Sequence, residues 1–238
     1  MKKLLMDALA WIAEHFGEDI LVAAKKRLQK MFQKTFSGKN IVILGPKESG
    51  KTALLKLMTD GRPFDVAQTG ERLAPDSTLL TAVVDKAFEC QEGNWIKIRK
   101  DVPGDKKLRE LWKLAIADLK PEGIIYILDG RRKDADLKKD IEEAGDYVLD
   151  QCYQGNSVEL RGFHIFVNFA DVWATSGVIE RKKLNFVSRM LDEELEKRQG
   201  FHNLRTGVSA TQLSIHSKNW TEATRAVHKF GAELLDAA

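Results

Sequence analysis

The sequence predicts an α/β fold: a mostly parallel central sheet flanked by helices, preceded by an N-terminal helical extension. Three observations carry this expectation. Short apolar runs alternate with amphipathic stretches of helical length from about residue 40 onward. A glycine-rich turn separates the first apolar run from the first amphipathic stretch. The first 36 residues hold helical periodicity and no strand-like run. Strands that alternate with helices form a parallel sheet covered on both faces, with ligand chemistry at the carboxyl ends of the strands.

Taken in order, residues 3–17 place Leu5, Ala8, Leu9, Trp11, Ile12 and Phe16 at helical spacing, and Gly17 closes them. A second stretch, 19–36, carries Ile20, Leu21, Ala24, Leu28, Met31 and Phe32 against a basic opposite face. Residues 1–38 are therefore assigned to the extension and 39–238 to the α/β domain. Asn40 to Leu44 reads as a buried strand, and Lys51 to about Met58 as the helix after the turn. Residues 79–90 and 95–100 flank Gln91-Glu92-Gly93-Asn94, a hairpin signal. A helix is expected over 107–119, a strand over 124–128, a helix over 134–153 and a strand over 163–167. A charged helix over 177–198, a short strand over 204–208 and a final helix over 220–235 complete the order.

Composition excludes some classes. The net charge of +3 argues against a dedicated nucleic-acid binder. That charge is uneven: residues 1–40 sum to +4 and the remainder to −1. Two cysteines, Cys90 and Cys152, make no disulfide framework, so free thiols and a reducing, cytoplasmic setting are expected. Asp7 and Glu14 interrupt the only stretch that looks like a secretion signal. Lys at position 2 excludes N-myristoylation.

Gly45-Pro46-Lys47-Glu48-Ser49-Gly50-Lys51-Thr52 matches G-x-x-x-x-G-K-[ST], directly after a strand and opening a helix with Ala53. Its glycines let the backbone wrap closely, so that N–H groups point at phosphates. Lys51 would place a charge near the terminal phosphates, and the Thr52 hydroxyl would coordinate Mg²⁺. The helix that follows adds its positive end. Asp101-Val102-Pro103-Gly104 closes the strand that begins at Trp95. An aspartate there can hold Mg²⁺ through water, and the Gly104 N–H can reach a γ-phosphate.

The segment Asp101-Val102-Pro103-Gly104-Asp105-Lys106-Lys107-Leu108-Arg109-Glu110-Leu111-Trp112 resembles the Asp-Val-Gly-Gly-Gln-Asp-Lys-x-Arg-x-Leu-Trp segment of the Arf (ADP-ribosylation factor) family of small GTPases. The resemblance runs from about residue 40 to the C-terminus, and is specific at the phosphate loop and at 101–112. It implies the P-loop GTPase fold, GTP or GDP with Mg²⁺ as ligands, and the activity of a guanine-nucleotide switch. It also assigns the base site. Asn168-Phe169-Ala170-Asp171 stands where the family has Asn-Lys-x-Asp, whose aspartate accepts hydrogen bonds from guanine. Ser209-Ala210-Thr211 is similar to the family's Cys-Ala-Thr, whose backbone reads the guanine carbonyl. On the residues alone, Asp171 could instead cap a helix.

The sequence departs from the family at three places. Phe169 replaces the lysine that lies over the base, and a ring can stack there but cannot supply charge. Asp105 stands where the family has the glutamine that positions the attacking water, so slow intrinsic hydrolysis is expected. The switch threonine that binds Mg²⁺ is either Thr78 or Thr81, both just before the hairpin.

Three functional classes follow. One is a GTP-dependent switch with slow hydrolysis, in which loops 62–81 and 103–112 change order when the γ-phosphate leaves. Another is a pseudo-GTPase that holds nucleotide without turnover and serves as a protein-interaction scaffold; Phe169 and Asp105 support it. An ATP-using P-loop enzyme is the third reading, under which Asn168 and Asp171 are accidental. Protein partners are expected at the switch loops and the N-terminal helices. Peripheral membrane contact by those helices is the alternative, weakened by the acids on the first one. The charged stretches 131–143 and 180–198 read as solvated helix faces.

Overall fold

The computed structural model describes residues 39–60, 82–91, 94–154, 160–198, 200–201, 203–213 and 220–236. The N-terminal extension, and the loop that holds Thr78 and Thr81, lie outside the described residues.

Six strands form one sheet in the order β2-β3-β1-β4-β5-β6. They are β1 (Lys39–Leu44), β2 (Ala82–Gln91), β3 (Asn94–Asp101), β4 (Gly123–Asp129), β5 (Gly162–Asn168) and β6 (Arg205–Ala210). β2 pairs antiparallel with β3, as the hairpin signal predicts, and the other five strands run parallel. The helices are α1 (Lys51–Asp60), α2 (Glu110–Leu119), α3 (Asp134–Ala144), α4 (Asp150–Gln154), α5 (Ala170–Trp173), α6 (Gly177–Glu196) and α7 (Trp220–Asp236). A short 3-10 turn, Lys106–Leu108, precedes α2. One π-helical turn, Gly145–Leu149, joins α3 to α4, so the single helix expected over 134–153 carries a wider turn in its middle.

The central strands are apolar on both faces because both are covered. Val42, Leu44, Ile124, Tyr126 and Leu128 face one side and pack with residues of α2, α3 and α6. Ile41, Ile43, Ile125 and Ile127 face the other and pack with α1 and α7. The period-two alternation of pleated strands makes that division.

The register brings the functional ends together. Asp101 lies beside Ile43, Leu44 beside Tyr126, Asp129 beside Asn168 and Val167 beside Ala210. The carboxyl ends of β1, β3, β4, β5 and β6 therefore form one rim. Several charges along 131–143 and 180–198 are not solvated, contrary to the sequence expectation. Asp140 is fully buried and pairs with Arg132. Glu194 is buried and pairs with Lys197 and Arg198. Among the described residues no helix is long and apolar enough to cross a membrane.

Candidate functional site

The phosphate half is built from backbone. β1 delivers the chain to the rim at Leu44, and α1 leaves it at Lys51. Between them Gly45, Glu48 and Gly50 all have positive φ, at 145°, 63° and 107°. Such alternation folds a loop into a concave nest of N–H groups. Glu48 holds its left-handed conformation without being glycine, a strain of about 1–2 kcal/mol that the surrounding loop maintains. A Cβ on Gly45 would overlap the Ile127 carbonyl oxygen, and one on Gly50 would overlap the Asn168 amide. Shape alone requires both glycines.

Lys51 is buried at 7% exposure and its amine donates to the Pro46 carbonyl at 2.7 Å. The amine lies folded back over the loop. Gly104, some fifty residues later in sequence, sits against the same amine. A Cβ at Gly104 would overlap Lys51 Nζ and come within 2.6 Å of the Pro46 carbonyl carbon and 2.7 Å of the Gly45 oxygen. The turn 102–104 is thus pressed onto the phosphate loop, with no room for a side chain between them.

That turn is anchored from beneath. Arg109 is 3% exposed and donates to the Gly104 carbonyl at 3.1 Å and to Glu143 at 2.8 Å. Its guanidinium lies 3.9 Å over the Trp112 ring, and Trp112 Nε1 donates to Pro103 at 2.7 Å. Burial would raise the Glu143 pKa, but Lys106 and Arg109 outweigh it and hold the carboxyl below its ordinary value. Asp105 uses a carboxylate oxygen to accept the Lys107 N–H at 3.0 Å, which caps the 3-10 turn. Asp101 ends β3 next to β1, on the phosphate side of the rim.

The base half is built from side chains. Asn168 ends β5, 1% exposed, and its amide donates to the Ser49 carbonyl at 3.0 Å. That bond ties the base loop to the phosphate loop. Phe169 follows in the left-handed region, at φ 61° and ψ 38°, and caps α5 without a side-chain bond. Asp171 lies inside the first turn of α5, exposed, so it is not the helix cap. Ala170 N–H donates to the Thr211 carbonyl, and Thr211 N–H to the Val167 carbonyl, both at 3.0 Å. β6 runs two residues further than the sequence suggests, so Ser209 and Ala210 end the strand and Thr211 follows it. Asn168 Oδ1, Ser49 Oγ and Thr211 Oγ1 are buried with no hydrogen-bond partner among the described residues. Three orphaned polar atoms around one rim mark a place that suits a polar ligand.

Sequence reasoning missed the residues that frame the base half. Trp173 Nε1 donates to the Asn168 carbonyl at 2.8 Å and fills the space beside Gly130. Lys183 of α6 donates to the Gly130 carbonyl at 2.5 Å. Arg131 lies 3.7 Å over the Phe169 ring. The Asp129-Gly130 pair at a strand end was the available signal for a built turn there.

No family model matches the sequence, and no curated protein matches it. Solved structures do. The chain is 16% identical to the signal recognition particle receptor SRb-GTP/SRX complex from Chaetomium thermophilum, with a TM-score of 0.55 over 81% of this chain and 98% of that one. It is 15% identical to a GTP-binding protein from the archaeon Sulfolobus solfataricus in complex with GDP, TM-score 0.54, over 97% of this chain and 64% of that one. It is 13% identical to the elongation factor SelB from Methanococcus maripaludis bound to a GTP analogue, TM-score 0.51, over 84% of this chain and 33% of that one. The likeness shows that the chain has the P-loop GTPase fold.

Proposed function

We propose that this chain binds a guanine nucleotide with Mg²⁺ and works as a molecular switch with slow intrinsic GTP hydrolysis. One observation carries the reading. Three motifs far apart in sequence, 45–52, 101–104 and 168–171, meet at one rim, with Gly104 against Lys51 and Asn168 bonded to Ser49. The three similar structures named above are complexes with GTP, GDP or a GTP analogue, which supports the same ligand class here.

The amides of 45–53 and the Lys51 amine would hold the phosphates. To do so the amine must leave the Pro46 carbonyl, a short swing of one flexible side chain. Gly104, already beside that amine, would present its N–H to a γ-phosphate. Loss of that phosphate would release the turn 102–104 from one side while Arg109 keeps it from the other. Asp171 would accept from guanine, Phe169 would stack on the base, and the 209–211 backbone would read its carbonyl. Mg²⁺ suits the donors offered: the Thr52 hydroxyl, Asp101 through water, and Thr78 or Thr81. It would neutralise phosphate charge. Asp105 would stand in the water-positioning slot, and its bond to the Lys107 N–H holds the carboxylate on the 3-10 turn. Slow turnover follows.

Protein partners are proposed at loops 62–81 and 103–112 and at residues 1–36, in a cytoplasmic setting, with peripheral membrane contact as an alternative use of the helices. A pseudo-GTPase scaffold is the second reading, favoured by the same Asp105 bond and by Phe169. Calorimetric titration with Mg-GDP, Mg-GTP and Mg-ATP tests the proposal. Guanine nucleotides should bind and ATP should bind much more weakly; equal affinities would end the guanine assignment. Single-turnover hydrolysis then separates switch from scaffold.

A further inference from the structure

The strongest unexplained arrangement lies where β4 ends. Asp129 accepts three hydrogen bonds from Arg131: its backbone N–H at 3.0 Å, Nε at 2.9 Å and Nη2 at 2.8 Å. The last two form a bidentate fork that fixes the plane of the guanidinium. That plane lies 3.7 Å over the Phe169 ring. The loop behind it is tied down by several contacts. Gly130 N–H donates to the Asn168 carbonyl at 3.1 Å, the Lys183 amine holds the Gly130 carbonyl, and the Trp173 indole packs where a Gly130 side chain would stand. A cation on an exposed loop has no structural need of so much scaffolding.

Charge supplies the reason. The Asp129 hydrogen bonds are the largest influence stabilising the charged form of Arg131, and Asp171 and Glu48 add to it. These two carboxylates belong to the base loop and the phosphate loop. A nucleotide bound between those loops brings further negative charge to a rim that already holds Glu48, Asp129 and Asp171. The motif residue that would counter them, position 169, is an uncharged ring.

Resting on the nucleotide-binding reading above, we propose that Arg131 is the positioning and counter-charge residue of the base site. Held by Asp129 and stacked on Phe169, it supplies from the β4 loop the positive charge that position 169 lacks. The ring and the guanidinium form one two-layer wall: Phe169 offers an apolar face to the base, and Arg131 fixes that ring from its side and balances Glu48 and Asp171. A guanidinium stacked on an aromatic face attracts the ring and holds its orientation. If the ring must hold its orientation to receive the base, that attraction reaches nucleotide residence time.

The experiment follows release of a fluorescent GDP, with Mg²⁺, from wild type, Arg131→Ala, Phe169→Lys and the double variant. Arg131→Ala should release GDP roughly tenfold faster, a change worth about 1.4 kcal/mol. Its unfolding temperature without nucleotide should stay close to that of wild type, because Arg131 is half-exposed. Phe169→Lys placed in the Arg131→Ala background should recover part of the lost residence time, since the charge then comes from position 169 itself while the stacking face is gone. A purely structural arginine would not be rescued by a lysine on another loop. Unchanged release in Arg131→Ala, or no rescue in the double variant, overturns the proposal while leaving nucleotide binding intact. Absence of GDP binding by wild type overturns both it and the function on which it rests.

Discussion

The two halves of the site are made differently. At the phosphate half the constraints are on backbone: Gly45, Gly50 and Gly104 stand where a Cβ would strike Ile127, Asn168 or Lys51. At the base half the constraints are on side chains, and these are drawn from β4, β5, α5, α6 and the loop after β6. A backbone requirement has one solution, which is absence of a side chain. A charge requirement has many, because a cation can reach the same space from a neighbouring loop. That difference explains why the phosphate motif is complete while the base motif carries Phe169.

The sharpest way to break the comparison is Lys51→Ala. It removes a charge buried against the phosphate loop and should weaken GDP binding by well over a hundredfold, read by titration calorimetry. Binding like wild type would mean that the backbone cradle alone suffices.

The strands under the base half can be tested through pH. His164 of β5 is half-buried between Phe166 and Phe230, at ring-centroid distances of 5.1 and 5.6 Å, and shares a 2.9 Å hydrogen bond with Ser209 of β6. Burial, with a smaller contribution from Lys229, lowers its pKa from 6.5 to about 4. The folded state therefore favours neutral His164, and the unfolded chain takes up the proton first. The stabilisation is complete above pH 6.5 and is lost as pH falls towards 4, on the order of 3 kcal/mol in all. Thermal melts between pH 7 and pH 4.5 should show a steeper decline for wild type than for His164→Gln. Parallel declines would show that the ring takes up its proton as readily in the fold as in the unfolded chain.

Asp171→Asn tests the base half directly. An acceptor becomes a donor facing donors, so GDP should bind roughly tenfold to a hundredfold more weakly. Discrimination against ATP should shrink with it, whereas Lys51→Ala should affect both nucleotides alike. If Asp171→Asn weakens GTP and ATP equally, Asp171 does not read the base.

The smallest effect is on rate. Wild type should hydrolyse GTP on the order of 10⁻⁴ to 10⁻³ per second without a partner. Asp105→Gln should raise that several-fold by restoring a neutral group beside the attacking water, and a single-turnover assay reads it. A wild-type rate near one per second would assign the chemistry to another residue.

Local signals explain what the sequence disclosed. The strands were legible because buried parallel strands are continuous apolar runs, such as Ile124 to Leu128. The phosphate loop was legible because glycine positions are fixed by backbone geometry. Its meeting with Gly104 was legible through the twelve residues 101–112. Side-chain partners were not. Arg131 and Glu143 look alike in a charged stretch, yet one stacks on Phe169 and the other binds Arg109 beneath Gly104. Those outcomes depend on what the fold brings near them, and spacing carries no record of that. Thr78 and Thr81 lie outside the described residues, so both remain candidate switch ligands.

The π turn at Gly145–Leu149 bears on which lengths this chain tolerates. A single π turn holds one more residue than the α-helical turn it replaces. Gly145 packs there against the Glu194 carboxylate and the Arg198 guanidinium, and Arg198 reaches Asp146 and Asp150. Upstream, Leu137 and Ile141 face the core; Val148 and Leu149 do so within the turn, and Cys152 does so downstream. A one-residue deletion elsewhere in Asp134–Gln154 turns everything beyond it by about 100° and carries one of those faces into solvent. A deletion inside the π turn leaves both faces in phase and yields an unbroken α-helix. The turn is thus the one stretch of this helix where the chain can lose a residue and keep its address.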